Sequence, residues 1–339
     1  MYSENRKIEI IDALGETPQG QLRINHCTAD DSQSILLRKH FASQQDGRGR
    51  MDIYPLYPGM ELSMSWYQAS SIRQQHDESS SILEITYCRS GRIGWDMKGS
   101  VSFYLGEGDM VLHRMDCCAQ STMTLPLGFF EGIHLSLDLE ILAAARPEIL
   151  ALAGIDPGSL YRKLCPDGTP RTIPACAGTE HIFSMLYDLP PQMRIPYFKL
   201  KSQEVLLYLA QLAPQKADSS NQYPSCQVEL IRNIHTRLTQ DMERRYTIEE
   251  LAKEYLINTS SLKAIFKAVY GEPIATYMKE YRIHQSLKFL RDTDDSIAAV
   301  AAKVGYESQS KFTRAFKERM GILPTVYRRQ NRHPALSED

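Results

Sequence analysis

The chain has 339 residues, 42% hydrophobic, 9% aromatic and 24% charged, a composition that excludes a disordered, collagen-like or membrane-embedded protein. At roughly 100 to 200 residues per domain, that length suits two domains with separate cores. The net charge of −2 hides an asymmetry: from Pro224 onward 19 basic residues stand against 15 acidic ones, and before it 20 against 26. A basic C-terminal third beside an acidic remainder points to a polyanion as the partner of one part only. No apolar run reaches the roughly 18 residues of a membrane span. The start, MYSENRKIEIIDALGE, breaks its apolar residues with charges too often for a secretion signal, so a cytoplasmic protein with no membrane partner is expected.

Residues 1 to 60 show no periodicity. From Glu61 to Leu137 the chain carries short alternating runs, Ile82 to Cys88, Arg92 to Met97, Val101 to Leu105, Met110 to His113 and Gly132 to Leu137. Glycine turns separate several of them at about ten-residue spacing, the pattern of an all-β barrel or sandwich. Helical periodicity follows over Asp138 to Ala145, Thr179 to Leu189 and Phe198 to Leu212. The last has Val205, Leu209 and Leu212 on one stripe with Leu206 beside it, which suits either pairing between two chains of a homodimer, the expected outcome, or packing onto its own β-domain. A first domain over 1–213 is therefore expected, β-rich at about 61–137 and helical at about 138–213. Pro214 to Ser225, polar and rich in Pro, Ser and Asn, reads as a linker. Seven cysteines, odd in number and without a C-x-x-C, read as reduced structural thiols.

Everything after the linker is helical in pattern, over 226–330, with a short tail at 331–339. Val228 to Thr239 is periodic, Thr247-x-x-Glu250 is a capping box, and Thr259 to Tyr270 ends at Gly271. A long helix is predicted from Ile274 to about Arg291, then Ser296 to Val304 and Ser308 to Met320, closing at Gly321 and Pro324. The region also matches itself at an offset of 49 and then 50 residues. Thr247-Ile248 faces Ser296-Ile297, Phe266-Lys267 faces Phe316-Lys317, and Gly271 faces Gly321. Each copy, at about 247–271 and 296–321, is a short helix, a tight turn and a second helix: helix-turn-helix geometry, twice.

In the first copy Leu262, Ile265, Phe266 and Val269 form the buried stripe, leaving Ser260, Ser261, Lys263 and Lys267 outward. In the second, Phe312, Ala315 and Phe316 go inward, and Gln309, Ser310, Thr313, Arg314 and Lys317 go outward. Gln and Arg can read adenine and guanine bidentately in a major groove. A connecting helix of about 18 residues at ~1.5 Å each, with its flanking turns, approaches the ~34 Å between successive major-groove faces, so one chain can place both helices on double-stranded DNA.

These residues resemble the C-terminal domain of AraC/XylS-type transcriptional regulators. Gly305 through Lys317, followed by Gly321, Pro324 and Tyr327-Arg328, is similar to that family's signature, and Arg282 matches its linker-helix arginine. Ser286 stands where the family usually has Ala. The resemblance covers about 227 to 329 and implies a ligand-responsive, sequence-specific regulator of transcription. It also implies an N-terminal cupin-like (jelly-roll) domain for effector binding and dimerisation, an activator's contact with RNA polymerase, and no catalysis. For the unidentified small-molecule effector, His76, Glu84, Trp95 and Tyr104 are the candidate contacts. Enzymatic cupins need His-x-His, which is absent; His76, Glu84 and His113 lack that spacing, so no metal and no cofactor are expected. The rival reading is a cupin-type enzyme with a helical appendage, but no serine-hydrolase elbow, phosphate loop or metalloprotease motif supports it.

Overall fold

The computed structural model describes residues 9–27, 42–45, 47–75, 81–97, 101–117, 120–145, 147–166, 168–212 and 222–331. His76, most of the expected linker and the tail beyond Asn331 lie outside them. The chain divides into two compact units, Tyr2–Ser225 and Cys226–Asp339.

After a short helix, α1 (residues 9–14), the N-terminal unit is built on two sheets. Among the described residues one has seven strands in the order β1 (Leu22–His26), β3 (Arg48–Tyr57), β4 (Met60–Gln68), β11 (Phe130–Asp138), β6 (Ile82–Gly91), β9 (Met110–Arg114), β12 (Arg171–Ile173). The other has six, β13 (Gln222–Pro224), β8 (Val101–Leu105), β7 (Ile93–Met97), β10 (Gln120–Thr124), β5 (Ser71–Gln75), β2 (Ala42–Gln45). All pairings are antiparallel except β1 beside β3. β13 falls within the segment expected to be linker. The chain there is the edge strand of a sheet, with Tyr223 opposite Ser102.

Strand alternation sends the two faces of the larger sheet into different cores. Leu62, Met64, Leu83, Ile85, Tyr87, Leu112, Ile133 and Leu135 pack under the helices α2 (Leu139–Ala145), α3 (Glu148–Leu152), α4 (Pro157–Leu164), α5 (Ala177–Ser184) and α6 (Pro191–Gln211). On the other face Met51, Ile53, Tyr67, Cys88, Val111 and Phe130 meet Ile72, Ile93, Trp95, Phe103, Leu105 and Met123 of the smaller sheet.

α6 corrects an expectation. It begins at Pro191, a favoured first-turn residue, and runs past Pro196 instead of starting after it. Its stripe is no dimer seam, because Val205, Leu206 and Leu209 are 2%, 1% and 0% exposed in the unit's own core, with Leu212 packed against it. The thiols divide as well: Cys88 and Cys165 are buried, whereas Cys176 and Cys226 are exposed. Hydrogen bonds from Tyr208 and Thr179 hold the Cys176 thiol down at about 7.

The C-terminal unit follows its periodicity closely: α7 (Ser225–Gln240), α8 (Ile248–Glu254), α9 (Thr259–Tyr270), α10 (Ile274–Asp292), α11 (Ile297–Lys303) and α12 (Gln309–Met320). α13 (Pro324–Asn331) was not anticipated, although Pro324 at its first position is the ordinary signal for a helix start. Among the described residues no helix is long and apolar enough to cross a membrane.

Candidate nucleic-acid interface

The two helix-turn-helix units are α8–α9 and α11–α12. Thr247 caps α8 reciprocally with Glu250, and Ser296 caps α11 by accepting from the Ala299 amide at 3.1 Å. Asn258 and Ser308 cap α9 and α12 by accepting from the first-turn amides of Ser261 and Lys311, at 2.7 and 3.3 Å. Both of these helices stop at a left-handed glycine, Gly271 at φ 88° and Gly321 at φ 75°.

Burial fixes which way each helix points. Leu262, Phe266 and Val269 are fully enclosed in the first, and Phe312 and Phe316 in the second. Ser260, Lys263 and Lys267 are exposed on the opposite face of α9, with Ser261 half-buried at its edge. Gln309, Ser310, Arg314 and Lys317 are exposed on α12, and Thr313 is half-buried. The Arg314 side chain is 85% exposed, with Glu318 at 3.4 Å one turn on. A pair that open to solvent is weakly held, so the guanidinium can exchange Glu318 for a base or phosphate. α10, at 19 residues, is about 28 Å long, and with its flanking turns it approaches the ~34 Å between successive major-groove faces.

The heads differ inside. His235 of α7 stacks on Tyr270 at 4.3 Å with its Nε2 2.9 Å from the Tyr277 hydroxyl, and burial pushes its imidazole down to about 4. The second head encloses Ile283, Leu290, Val300, Val304, Phe312 and Phe316, with Tyr306 and Tyr327 packed against them and no buried histidine in this head among the described residues.

The N-terminal unit holds a polar belt between its sheets. One cross-strand row reads Glu61, Ser136, Glu84, His113; the next reads Ser63, His134, Thr86. His134 Nε2 lies 2.8 Å from Ser65 Oγ, and its Nδ1 3.0 Å from Thr86 Oγ1 and 3.2 Å from Glu84 Oε1. Burial alone would lower the His113 imidazole; Cys117 and the Glu84 carboxylate, 3.9 Å away, outweigh it and raise it to about 9. Ser63 on the larger sheet and Ser121 on the smaller are 1% and 3% exposed, and their hydroxyls have no hydrogen-bond partner among the described residues. Of the four expected effector contacts, Glu84 and Trp95 face this belt, the Trp95 ring lying 6.1 Å from that of His113. Tyr104 does not: alternation turns it to the other face of β8, over Gly94. His76 lies outside the described residues. Glu61, Ser63, Ser65 and His134 were not singled out, although Glu-x-Ser-x-Ser over 61–65 was their alternating signal. Among the described residues no cluster of three His, Cys, Asp or Glu side chains is placed to hold a metal ion.

Comparison with known proteins agrees with the helical geometry. Residues 251–330 match the model of a helix-turn-helix domain family. The chain is 32% identical over 116 residues to the HTH-type transcriptional regulator YtdP of Bacillus subtilis, covering 34% of this chain and 14% of that one. It is 35% identical over 101 residues to an AraC-like transcription regulator of Streptomyces lividans, 30% of this chain and 32% of the relative. With ExsA of Pseudomonas aeruginosa, an HTH-type transcriptional regulator, identity is 27% over 146 residues, 42% of this chain and 49% of that one. The chain thus spans well under two thirds of these relatives. With its duplicated helix-turn-helix, its glycine-capped second helices and these matches, the C-terminal unit is a helix-turn-helix domain similar to those of AraC-type transcriptional regulators.

Proposed function

We propose that the protein is a sequence-specific regulator of transcription that binds double-stranded DNA with α9 and α12 in successive major grooves. What carries this is the repetition of one design, apolar inside and polar or cationic outside, at both ends of a helix of groove-spanning length. Electrophoretic retardation of the DNA upstream of its own gene tests it. Specific retention that competitor DNA does not abolish is expected, and equal retention of unrelated duplexes would contradict it.

The N-terminal unit is proposed to be a cupin-like sensor that binds a small effector at the polar belt. The support is the surplus of buried hydrogen-bonding groups, since a hydroxyl enclosed without a partner costs about 1 to 3 kcal/mol that a ligand can recover. Thermal-shift screening checks this: a stabilising compound should lose its effect in Ser63→Ala or Glu84→Gln. The same reading gives a homodimer in the cytoplasm and a contact with RNA polymerase. Any dimer uses a surface other than the Val205–Leu209 stripe, which the unit's own core occupies.

A further inference from the structure

We propose that the loop between α7 and α8 is a clasp that fixes the spacing of the two recognition helices, with Arg245 as its positioning residue; this rests on the DNA-binding reading. α9 meets α10 through Tyr270 and Tyr277, ring centroids 5.1 Å apart, and α12 meets it through Glu280–Arg319 at 2.5 Å and Lys279–Glu318 at 3.2 Å. A single connecting helix would leave the heads free to swing about its two junctions. The loop supplies a second connection.

One Arg282 nitrogen of α10 donates to the carbonyls of Met242 and Arg244, at 3.0 and 3.1 Å, and so ties the loop of the first head down. Tyr246 stiffens the same loop, donating to Asp241 at 2.8 Å beneath the Arg244 guanidinium at 4.5 Å. From that anchored loop Arg245 Nε donates to the carbonyl of Gly305, 3.2 Å away in the turn of the second head. The next residue, Tyr306, stands edge-on to Phe312 of α12 at 5.5 Å. The path from the first head to the second recognition helix is therefore continuous and short.

Gly305 is what lets the turn come so close. At φ +75° it takes the left-handed conformation, and a Cβ there would meet the Met242 carbonyl at 2.1 Å and Arg282 Nε at 3.0 Å. Among the described residues neither Arg245 nor Arg282 pairs with a carboxylate, so both guanidiniums are spent on main-chain carbonyls. Such contacts fix geometry, while Lys311, helped by the Arg245 charge, holds the Glu307 carboxyl below its ordinary range. Inserting one base pair between half-sites shifts the second by ~3.4 Å and turns it by about 34°, which a clasped pair of heads resists and a hinged pair follows.

The experiment uses the full-length protein. Duplexes selected from a randomised library by the wild type define its two half-sites, and retention is then measured on that site and on versions with one base pair added or removed between the halves. The wild type should lose at least tenfold on the altered spacings, Arg245→Ala less than threefold, and Arg245→Lys, which keeps a donor, should return towards the wild type. Should Arg245→Ala fold poorly, Arg245→Met keeps the stem beside Tyr306 and removes only the donor. Unchanged discrimination in these variants overturns the clasp. So does uniform weakening on every spacing with a salt dependence shallower by about one unit, the mark of a lost phosphate contact. A wild type that selects no DNA at all overturns the DNA-binding reading itself.

Discussion

In α9 the outward positions are Ser260, Ser261, Lys263, Ala264 and Lys267; at the same places in α12 stand Ser310, Lys311, Thr313, Arg314 and Lys317, with Gln309 opening the helix. The inward positions differ less in kind: Leu262, Ile265 and Phe266 against Phe312, Ala315 and Phe316. Packing against α10 holds both inner faces apolar, whereas nothing in the fold constrains the outer ones. What remains common outside, Lys267 and Lys317, is a cation at one point of each helix. What differs, Ala264 against Arg314, is the capacity to read a base. On the proposed DNA-binding reading, duplication gives two anchoring surfaces and one discriminating one.

The largest effects should be symmetric. Leu262→Ala and Phe312→Ala each empty a fully buried site and should cost about 3 to 5 kcal/mol of unfolding stability, measured by urea denaturation of the Cys226–Asp339 unit. Acid should then separate the heads. His235 is neutral in the fold, its imidazole down at about 4 from an ordinary 6.5, so the unfolded chain binds a proton that the folded one refuses. Its contribution is full above pH 6.5 and is lost as pH falls towards 4, by at most about 3 kcal/mol. Thermal melting of the wild type should show this decline, and His235→Phe should flatten it.

On DNA, Arg314→Ala should weaken specific binding by about 1 to 3 kcal/mol and relax preference at one base position, read by retention on single-base variants of the site. Lys267→Ala and Lys317→Ala should weaken all sequences alike and lower the salt slope by about one unit each. Equal loss of base preference in Lys263→Ala and Arg314→Ala would break the division of labour. The smallest effect concerns the turns. Leu256 stands at φ 53° and is 93% exposed, where the second turn has Gly305 at φ 75°. Leu256→Gly should stabilise the unit by about 1 kcal/mol in denaturant unfolding, since the strained side chain packs against nothing that offsets it.

The C-terminal unit was legible because each helix there buries one stripe and several announce their ends: Thr247, Gly271 and Gly321 are all local signals. The β-rich architecture of the N-terminal unit was legible too, but the inner face of its strands was not, because the larger sheet is covered on both faces. In Ile82–Gly91 the residues Leu83, Ile85 and Tyr87 lie under helices while Glu84, Thr86 and Cys88 lie between sheets, and alternation names no inner face when both are inside. For that reason the sequence left the inner face open: of the candidate contacts, Glu84 and Trp95 face the belt and Tyr104 does not. The α6 stripe misled for a related reason: an apolar helix face is the same in sequence whether it meets a second chain or its own sheet.

Hydroxyl-radical footprinting of the full-length protein on a selected duplex tests the two-headed geometry most directly. Two protected patches on one face of the DNA, separated by about one helical turn of 10 to 10.5 base pairs and each lost separately in variants of α9 and α12, are expected. A single short patch, unchanged when the outward residues of either helix are replaced, would contradict it.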